Sequence, residues 1–239
     1  MKIALIGYGK MGKEIEQIAI ALNHKIVLKI STSNYSELTV ENLKKADVAI
    51  EFSTPKTAVA NILMCFNASV PVVVGTTGWL DRLEEIKALC EQNNQAFFYA
   101  SNFSVGVNLF FQLNEYLAGM MKNYPEYIPS MEEIHHIHKK DAPSGTAITL
   151  AQGLMSAHGG PEKWILGETT NSKELAIHSK REGEVPGTHS ISYISKVDQI
   201  TISHEAYSRQ GFAEGAVHAA LWLVGKKGVF GMKDMLKIG

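Results

Sequence analysis

Three imidazoles and two ammonium groups stand close together at His135, His136, His138, Lys139 and Lys140, and Asp141-Ala142-Pro143-Ser144-Gly145-Thr146-Ala147 follows at once. Imidazole exchanges a proton near neutral pH, and lysine adds positive charge. A Pro-Ser-Gly-Thr turn can open a helix, whose first N–H groups and partial positive charge suit a carboxylate or phosphate. One segment therefore offers proton transfer beside anion binding. That pairing points to an enzyme acting on a small acidic molecule.

Three other readings fit parts of the segment. His136 and His138 would share one face of an extended strand and could hold zinc. Two adjacent lysines oppose a dication there, and no Cys or HExxH pattern accompanies the histidines, so no metal is expected. The histidines could be incidental at a solvated strand end. The cations could form a phosphate or nucleic-acid patch, but 23 Lys plus Arg against 24 Asp plus Glu gives no global field to recruit one. The catalytic reading leads.

The chain must position this segment with 239 residues, enough for one large domain or two modest ones. Hydrophobic residues make up 45% and no low-complexity tract interrupts them, as expected of a folded globular protein. No apolar run approaches a membrane span, and Met1-Lys2-Ile3-Ala4-Leu5-Ile6-Gly7 reads as an immediate strand, not a signal peptide, so a soluble, cytoplasmic protein is expected. Cys65 and Cys90 fall in separate predicted helices and are expected to be buried free thiols.

Strands and helices alternate up to about residue 102. Strands are predicted at Lys2 to Ile6, Lys25 to Ile30, Asp47 to Phe52, Pro71 to Val74 and Gln95 to Tyr99. Helical stripes lie between them at Ile15, Ile18, Ala19 and Leu22, then Val59, Ile62, Leu63 and Phe66, then Leu83, Ile86 and Leu89, the last with Asp81 as N-cap. Five such strands predict a Rossmann-like doubly wound parallel sheet. A longer helix follows, with Leu109, Leu113, Tyr116, Leu117 and Met120 as its apolar face. Strand candidates at 129–138, 174–181, 187–195 and 198–206 surround one helix from about Gly145 to Ala157, so the second domain is α+β on a mixed sheet. From Glu214 a helix with Val217, Ala220, Leu221 and Val224 on one stripe is expected to return to the first domain. The predicted division is 1–103 plus 214–239 for dinucleotide binding and 104–213 for substrate binding and oligomerisation.

Gly7-Tyr8-Gly9-Lys10-Met11-Gly12 is a GxGxxG match between the first strand and the first helix, the context in which that motif seats a dinucleotide pyrophosphate. NAD sites usually carry an acid at the end of the second strand, for the ribose hydroxyls. This chain has Ser31-Thr32-Ser33-Asn34 there, with Lys29 close, which leans toward NADPH with NADH also usable. Gly75-Thr76-Thr77-Gly78 lies at another strand's carboxyl end, where open α/β sheets place ligands. Asn102 and Phe103 fit a hinge or a nicotinamide contact. Arg209 fits a surface ion pair better than an anion site. His178, His189 and His204 fall on predicted strands and are expected to be structural.

Several of these segments together resemble the dihydrodipicolinate reductase family of lysine biosynthesis. The resemblance spans nearly the whole chain. It includes the Gly7–Gly12 loop, Phe52-Ser53-Thr54-Pro55, Gly75-Thr76-Thr77-Gly78, Ser101-Asn102-Phe103-Ser104-Val105-Gly106-Val107-Asn108, and most specifically the run from His135 to Ala147. Arg181-Glu182-Gly183, Gly187-Thr188-His189, Ser208-Arg209 and Ala220-Leu221-Trp222-Leu223 also look like the family. The resemblance implies a homotetramer and hydride transfer from NADH or NADPH to a cyclic, unsaturated dicarboxylate. It further implies His135 as proton donor or acceptor, Lys139 as assisting acid and charge partner, and His136, Gly145 and Thr146 as substrate contacts. Residues 7–12, Ser31, Thr32, Gly75, Thr76, Thr77, Ala100, Ser101, Asn102 and Phe103 would hold the cofactor. The stretch from Ser31 to Lys45 is shorter than in many relatives. The rival readings are a Rossmann reductase of another cyclic imine or amino acid, and a nucleotide-binding sensor without chemistry.

Overall fold

The computed structural model describes residues 1–208 and 210–238. The chain begins β1 (Lys2–Ile6), α1 (Lys10–Ala21), β2 (Lys25–Ile30), α2 (Val40–Leu43), β3 (Val48–Glu51), α3 (Pro55–Asn67), β4 (Val72–Val74), α4 (Leu83–Gln92) and β5 (Ala96–Tyr99). It continues α5 (Val105–Met121), β6 (Ile128–His135), α6 (Gly145–His158), β7 (Lys163–Leu166), β8 (Glu174–Arg181), β9 (Gly187–Ile194) and β10 (Gln199–Ala206). It closes with α7 (Gln210–Leu223), β11 (Gly228–Phe230) and α8 (Met232–Leu236). These elements form two compact units, one made of Met1–Val105 with the stretch beginning at Gln210, the other beginning at Gly106.

The first unit is a parallel sheet in the order β11-β5-β4-β3-β1-β2. All four residues of β3 and all three of β4 are buried, because helices cover both faces of the sheet. Alternate strand residues feed two separate cores. Ile6, Ala49, Val72 and Phe97 pack with Ile62 and Ile86 of α3 and α4. Leu5, Ile50, Val73 and Phe98 pack with Ile15 of α1 and Val217 of α7. The sheet has six strands, one more than the alternation predicts, because β11 (Gly-Val-Phe, half-buried) lacks the fully buried apolar run that marks equally short β4.

Helix α7 does return to this unit, but its buried face is Ala213, Ala216, Val217, Ala220 and Leu223, while Leu221 and Val224 are exposed. A helix apolar nearly all round gives its period little to choose with, and the small residues face the sheet where backbones approach closely. Helix α5 departs in the same way. Of its expected apolar face only Leu117 is buried; Leu109, Leu113, Tyr116 and Met120 are exposed, and Phe110, Ala118 and Met121 turn inward. Asp81 lies in a 3-10 turn at Leu80–Arg82, and Arg82, not Asp81, precedes the first turn of α4.

The second unit has a sheet in the order β10-β9-β6-β8-β7. Strand β6 runs parallel to β8 and antiparallel to β9, so the sheet is mixed. Met131, Leu175, Ile177, Ile191 and Tyr193 point to one face, which α5 and α6 cover with Phe110, Leu117, Leu150 and Leu154. Strand β6 ends at His135, not at 138, so His136 and His138 sit in the loop beyond it. Cys65 and Cys90 are buried and free, and burial raises both thiol pKa values. Among the described residues no helix is long and apolar enough to cross a membrane.

Glu51, fully buried at the end of β3, accepts hydrogen bonds from Ser53 Oγ and from Asn61 Nδ2, the latter at 3.1 Å. Burial raises its pKa despite these donors. A carboxyl with a raised folded-state pKa weakens the fold once pH rises above it, and is harmless where both states are protonated. Glu51→Gln should therefore raise the melting temperature at about pH 8 and lose that advantage near pH 4, a comparison made by calorimetry at the two pH values.

Candidate active site

Strand order in the first sheet reverses between β1 and β3, since β2 lies on one side of β1 and β3–β5 on the other. Open α/β sheets bind ligands outside the strand carboxyl ends at such a reversal. A cavity of about 290 Å³ lies there, lined by Gly7, Tyr8 and Gly9 after β1, Ser31 and Thr32 after β2, and Phe52, Ser53 and Thr54 after β3. Gly7 has φ +97°, and a Cβ on it would lie 2.0 Å from the Phe52 carbonyl oxygen. Only glycine lets this turn pass the neighbouring loop. Gly9 precedes the first turn of α1, has no side-chain cap, and faces open space where a Cβ would meet nothing within 4 Å. Exposed helix N–H groups beside a cavity without a lining carboxylate fit a pyrophosphate.

The end of β2 is more occupied than its sequence suggests. Asn34 accepts from the Ser31 N–H at 2.8 Å and donates to the Lys29 carbonyl and, at 3.2 Å, to Glu37. Lys29 pairs with Glu16 at 3.3 Å and lies over the Tyr8 ring, whose hydroxyl bonds Glu16. Ser31 and Thr32 remain on the cavity wall. Thr76 is buried and its hydroxyl accepts from the Ser53 N–H at 2.8 Å, tying the β3 and β4 loops together. Ala100 and Asn102 are buried, and Phe103, 2% exposed as a whole residue, packs its ring between Phe52 and Phe98 and its carbonyl against Gly215. Gly75, Thr77 and Ser101 lie in the loops that follow β4 and β5.

In the second unit, strand alternation puts Glu133 and His135 on one face of β6, with Glu133 fully buried and His135 6% exposed. Glu133 is in register with His189 on β9 and Ser179 on β8, while His135 is in register with Arg181. Glu133 accepts from Ser179 Oγ at 2.8 Å and from the Ser144 N–H at 3.2 and 3.0 Å to its two oxygens. His135 Nδ1 lies 3.6 Å from Glu133 Oε2, His189 Nε2 3.7 Å from the same oxygen, and Arg181 Nη2 3.6 Å from Oε1. His189 Nε2 also hydrogen-bonds Ser144 Oγ at 3.1 Å. Burial alone would raise the Glu133 pKa, but hydrogen bonds from His189, Ser144 and Ser179 hold it well below the carboxylate range.

His135 responds in the opposite sense. Burial lowers its pKa to about 4, and His189, Lys139 and Arg181 add to this against the upward pull of Glu133. Ser144 caps α6, its Oγ accepting from the Ala147 N–H at 3.2 Å, so the helix begins at Gly145 and Thr146 as the turn chemistry predicts. Lys139 Nζ is held by both Asp141 oxygens at 2.8 Å, and Arg181 straps the same loop by donating to the Lys139 and Asp141 carbonyls. The rings of His136 and His138 are 6.2 Å apart, with His138 against exposed Glu184.

The structure thus brings His135, Lys139, Gly145 and Thr146 to one end of the mixed sheet. It adds Glu133, and it brings Arg181 and His189, the latter expected to be structural, to the same carboxylate. Glu133 stands two residues before the histidine–lysine segment and shares a strand face with His135, which strand periodicity could have revealed. His189 and Arg181, both in stretches that look like the family, reach the site by strand pairing across a long sequence separation, which no local period shows. Donor atoms of Glu133, His135 and His189 lie within 4.8 Å of one another, yet the Arg181 guanidinium already supplies the positive charge at that carboxylate. Arg209 lies outside the described residues.

A dinucleotide cradle at the switch point of one unit, and a titratable imidazole beside lysine and a helix start in the other, define a nicotinamide-dependent oxidoreductase. Two family models cover the chain. "Dihydrodipicolinate reductase, N-terminus" matches residues 1–103 and "Dihydrodipicolinate reductase, C-terminus" matches residues 106–236. A relative from Christiangramia forsetii named 4-hydroxy-tetrahydrodipicolinate reductase is 50% identical, covering 99% of this chain and 98% of its own. A second of that name from Methanoculleus marisnigri is 40% identical over 82% and 77%. A solved dipicolinate-bound dihydrodipicolinate reductase from Paenisporosarcina sp. TG-14 shares the fold at TM-score 0.77 and 24% identity, covering 98% of both chains. The chain belongs to the dihydrodipicolinate reductase family, whose members use a pyridine nucleotide.

Gly7→Ala should weaken NADH and NADPH binding more than about tenfold, since it strains the turn that aims the α1 N–H groups. Titration of reduced-nicotinamide fluorescence reads this directly, and an unchanged dissociation constant would remove Gly7 from the site.

Proposed function

We propose that the chain catalyses the reaction its relatives are named for, reducing 4-hydroxy-tetrahydrodipicolinate to tetrahydrodipicolinate with NAD(P)H in lysine and diaminopimelate biosynthesis. The observation that carries this is the pairing of buried His135 with Lys139 and the α6 N-terminus, in a family whose named members perform that step. The first unit is the dinucleotide domain and the second the substrate domain. Loss of the 4-hydroxyl as water leaves the conjugated carbon–nitrogen system of the ring, to which bound nicotinamide would supply the hydride. His135 supplies the balancing proton, and it regains that proton from solvent between turnovers. Lys139 leaves Asp141 to pair with one substrate carboxylate, and the Gly145 and Thr146 N–H groups take the other, with His136 beside them.

Support for NADPH over NADH comes from Ser31 and Thr32 on the cavity wall and from the lack of a lining carboxylate. Glu16 and Glu37 stand just behind, holding Lys29 and Asn34, so the preference is modest and both nucleotides serve. The enzyme assembles as a homotetramer in the cytoplasm. Ile128 and Ile194, exposed and paired in register on β6 and β9, support self-association through the substrate domain.

His135→Ala should lower kcat by about 10²–10⁴-fold while leaving nucleotide affinity intact. Lys139→Ala should raise KM and lower kcat together, because it meets substrate charge before and during reaction. The assay is nicotinamide oxidation with the ring formed in place from aspartate semialdehyde and pyruvate, run with NADH and NADPH in parallel. Oxidation that needs both precursors supports the reaction, and the two kcat/KM values give the cofactor preference. Nucleotide binding without such oxidation would replace this reading with another imine substrate or a sensor.

A further inference from the structure

We propose that Glu133 is the positioning residue of the proton donor, holding Nδ1 of His135 so that Nε2 carries the transferable proton, with His189 setting how tightly that carboxylate is shared. The inference rests on His135 being the proton donor and adds the machinery behind it. Three observations converge. Nδ1 of His135 is buried and lacks a hydrogen-bond partner among the described residues, yet it lies 3.6 Å from Glu133 Oε2, the nearest carboxylate. A small rotation makes that contact a hydrogen bond, which fixes the tautomer as a carboxylate behind an imidazole does in other acid–base sites.

The opposite nitrogen points the other way. A Cβ placed on Gly187, whose φ is +158°, would lie 3.1 Å from His135 Nε2, so this glycine leaves the ring its room. The third observation is that the same carboxylate has two imidazole neighbours. His135 and His189 stack edge-on with centroids 5.1 Å apart, and both approach Glu133 Oε2. His189 has Ser144 Oγ as a second partner, so it can release the carboxylate without being stranded. The charged and titratable groups around His135 are then Glu133 on its own strand, His189 on β9, Arg181 on β8, and Lys139 with Asp141 in the following loop. His204 on β10 stands behind His189.

The charges fix the sign of each perturbation. Glu133→Gln removes the nearest negative charge favouring the imidazolium, so the limb of the pH–rate profile on which activity falls with rising pH moves to lower pH. His189→Gln removes a neighbour that disfavours the imidazolium, and moves that limb to higher pH. Glu133→Asp keeps the charge and should return the limb most of the way to wild type.

The test compares kcat across about pH 5 to 9 for the full-length variants, together with NMR titration of ¹³C-labelled histidine, carried down to about pH 3 so that it spans the lowered pKa of His135 itself. Expected are opposite displacements for Glu133→Gln and His189→Gln, with kcat of Glu133→Gln down at least about tenfold. A purely structural Glu133 would lower kcat or raise KM without displacing the His135 titration, and that result overturns the proposal. If Glu133→Gln does not fold, His189→Gln and Glu133→Asp decide it, and a His135 titration unmoved by His189→Gln again overturns it. His135→Ala separates the two levels. Normal turnover in that variant would end the proton-donor reading itself. Crippled turnover with wild-type pH profiles in the Glu133 and His189 variants ends only the present inference.

Discussion

A carboxylate with no solvent exposure is the constraint around which the mixed-sheet unit is arranged. Burying an ionised Glu133 costs several kcal/mol unless its oxygens are matched by donors and countercharge. Ser179 Oγ, the Ser144 N–H, His189 and Arg181 provide that match, and they come from three separate places: β8, the start of α6 and β9. Each partner is thereby fixed relative to β6. The start of α6 is anchored because its capping residue donates to the carboxylate, and the 139–141 loop is anchored because Arg181 reaches it as well. His135, Lys139 and the helix N-terminus keep their relative geometry through one buried charge.

That dependence explains which parts were legible in the sequence. The Rossmann unit was readable because its signals are local. Strands buried on both faces read as continuous apolar runs, and the glycine loop follows β1 immediately, as its chemistry requires. The GxGxxG loop, the Ser144 cap and the histidine–lysine run each declare themselves within a dozen residues. Helix faces were readable only where apolar and polar sides differ. In α5 and α7 both sides are apolar, so the stripe of Leu109, Leu113 and Tyr116 competed with that of Phe110, Ala118 and Met121, and only packing could decide. Short β7 and β11 carry too few residues for any period, and β11 lacks the buried apolar run that marks β4. Phe103 illustrates the limit in another way: its place in a matched motif said nothing about its ring being locked in the core between Phe52 and Phe98.

The electrostatics of the site also make sense only with its intended occupant. In the absence of substrate, burial and the positive neighbours Lys139 and Arg181 leave His135 a neutral imidazole at physiological pH, an apparently poor starting point for a proton donor. A dicarboxylate changes that balance. Each carboxylate brought to Lys139 or the α6 N-terminus cancels positive charge near the ring, while Glu133, already ionised and fixed, continues to favour the imidazolium. Under the proposed roles the proton affinity of His135 would therefore rise as the substrate settles, and the acid would become charged where and when a proton is needed. Without a carboxylate behind the ring, the substrate's own charges would have to protonate the histidine unaided and would also be free to draw the proton out toward themselves. With Glu133 on the Nδ1 side, the charge is shared across the ring and the mobile proton stays on Nε2, the nitrogen beside Gly187.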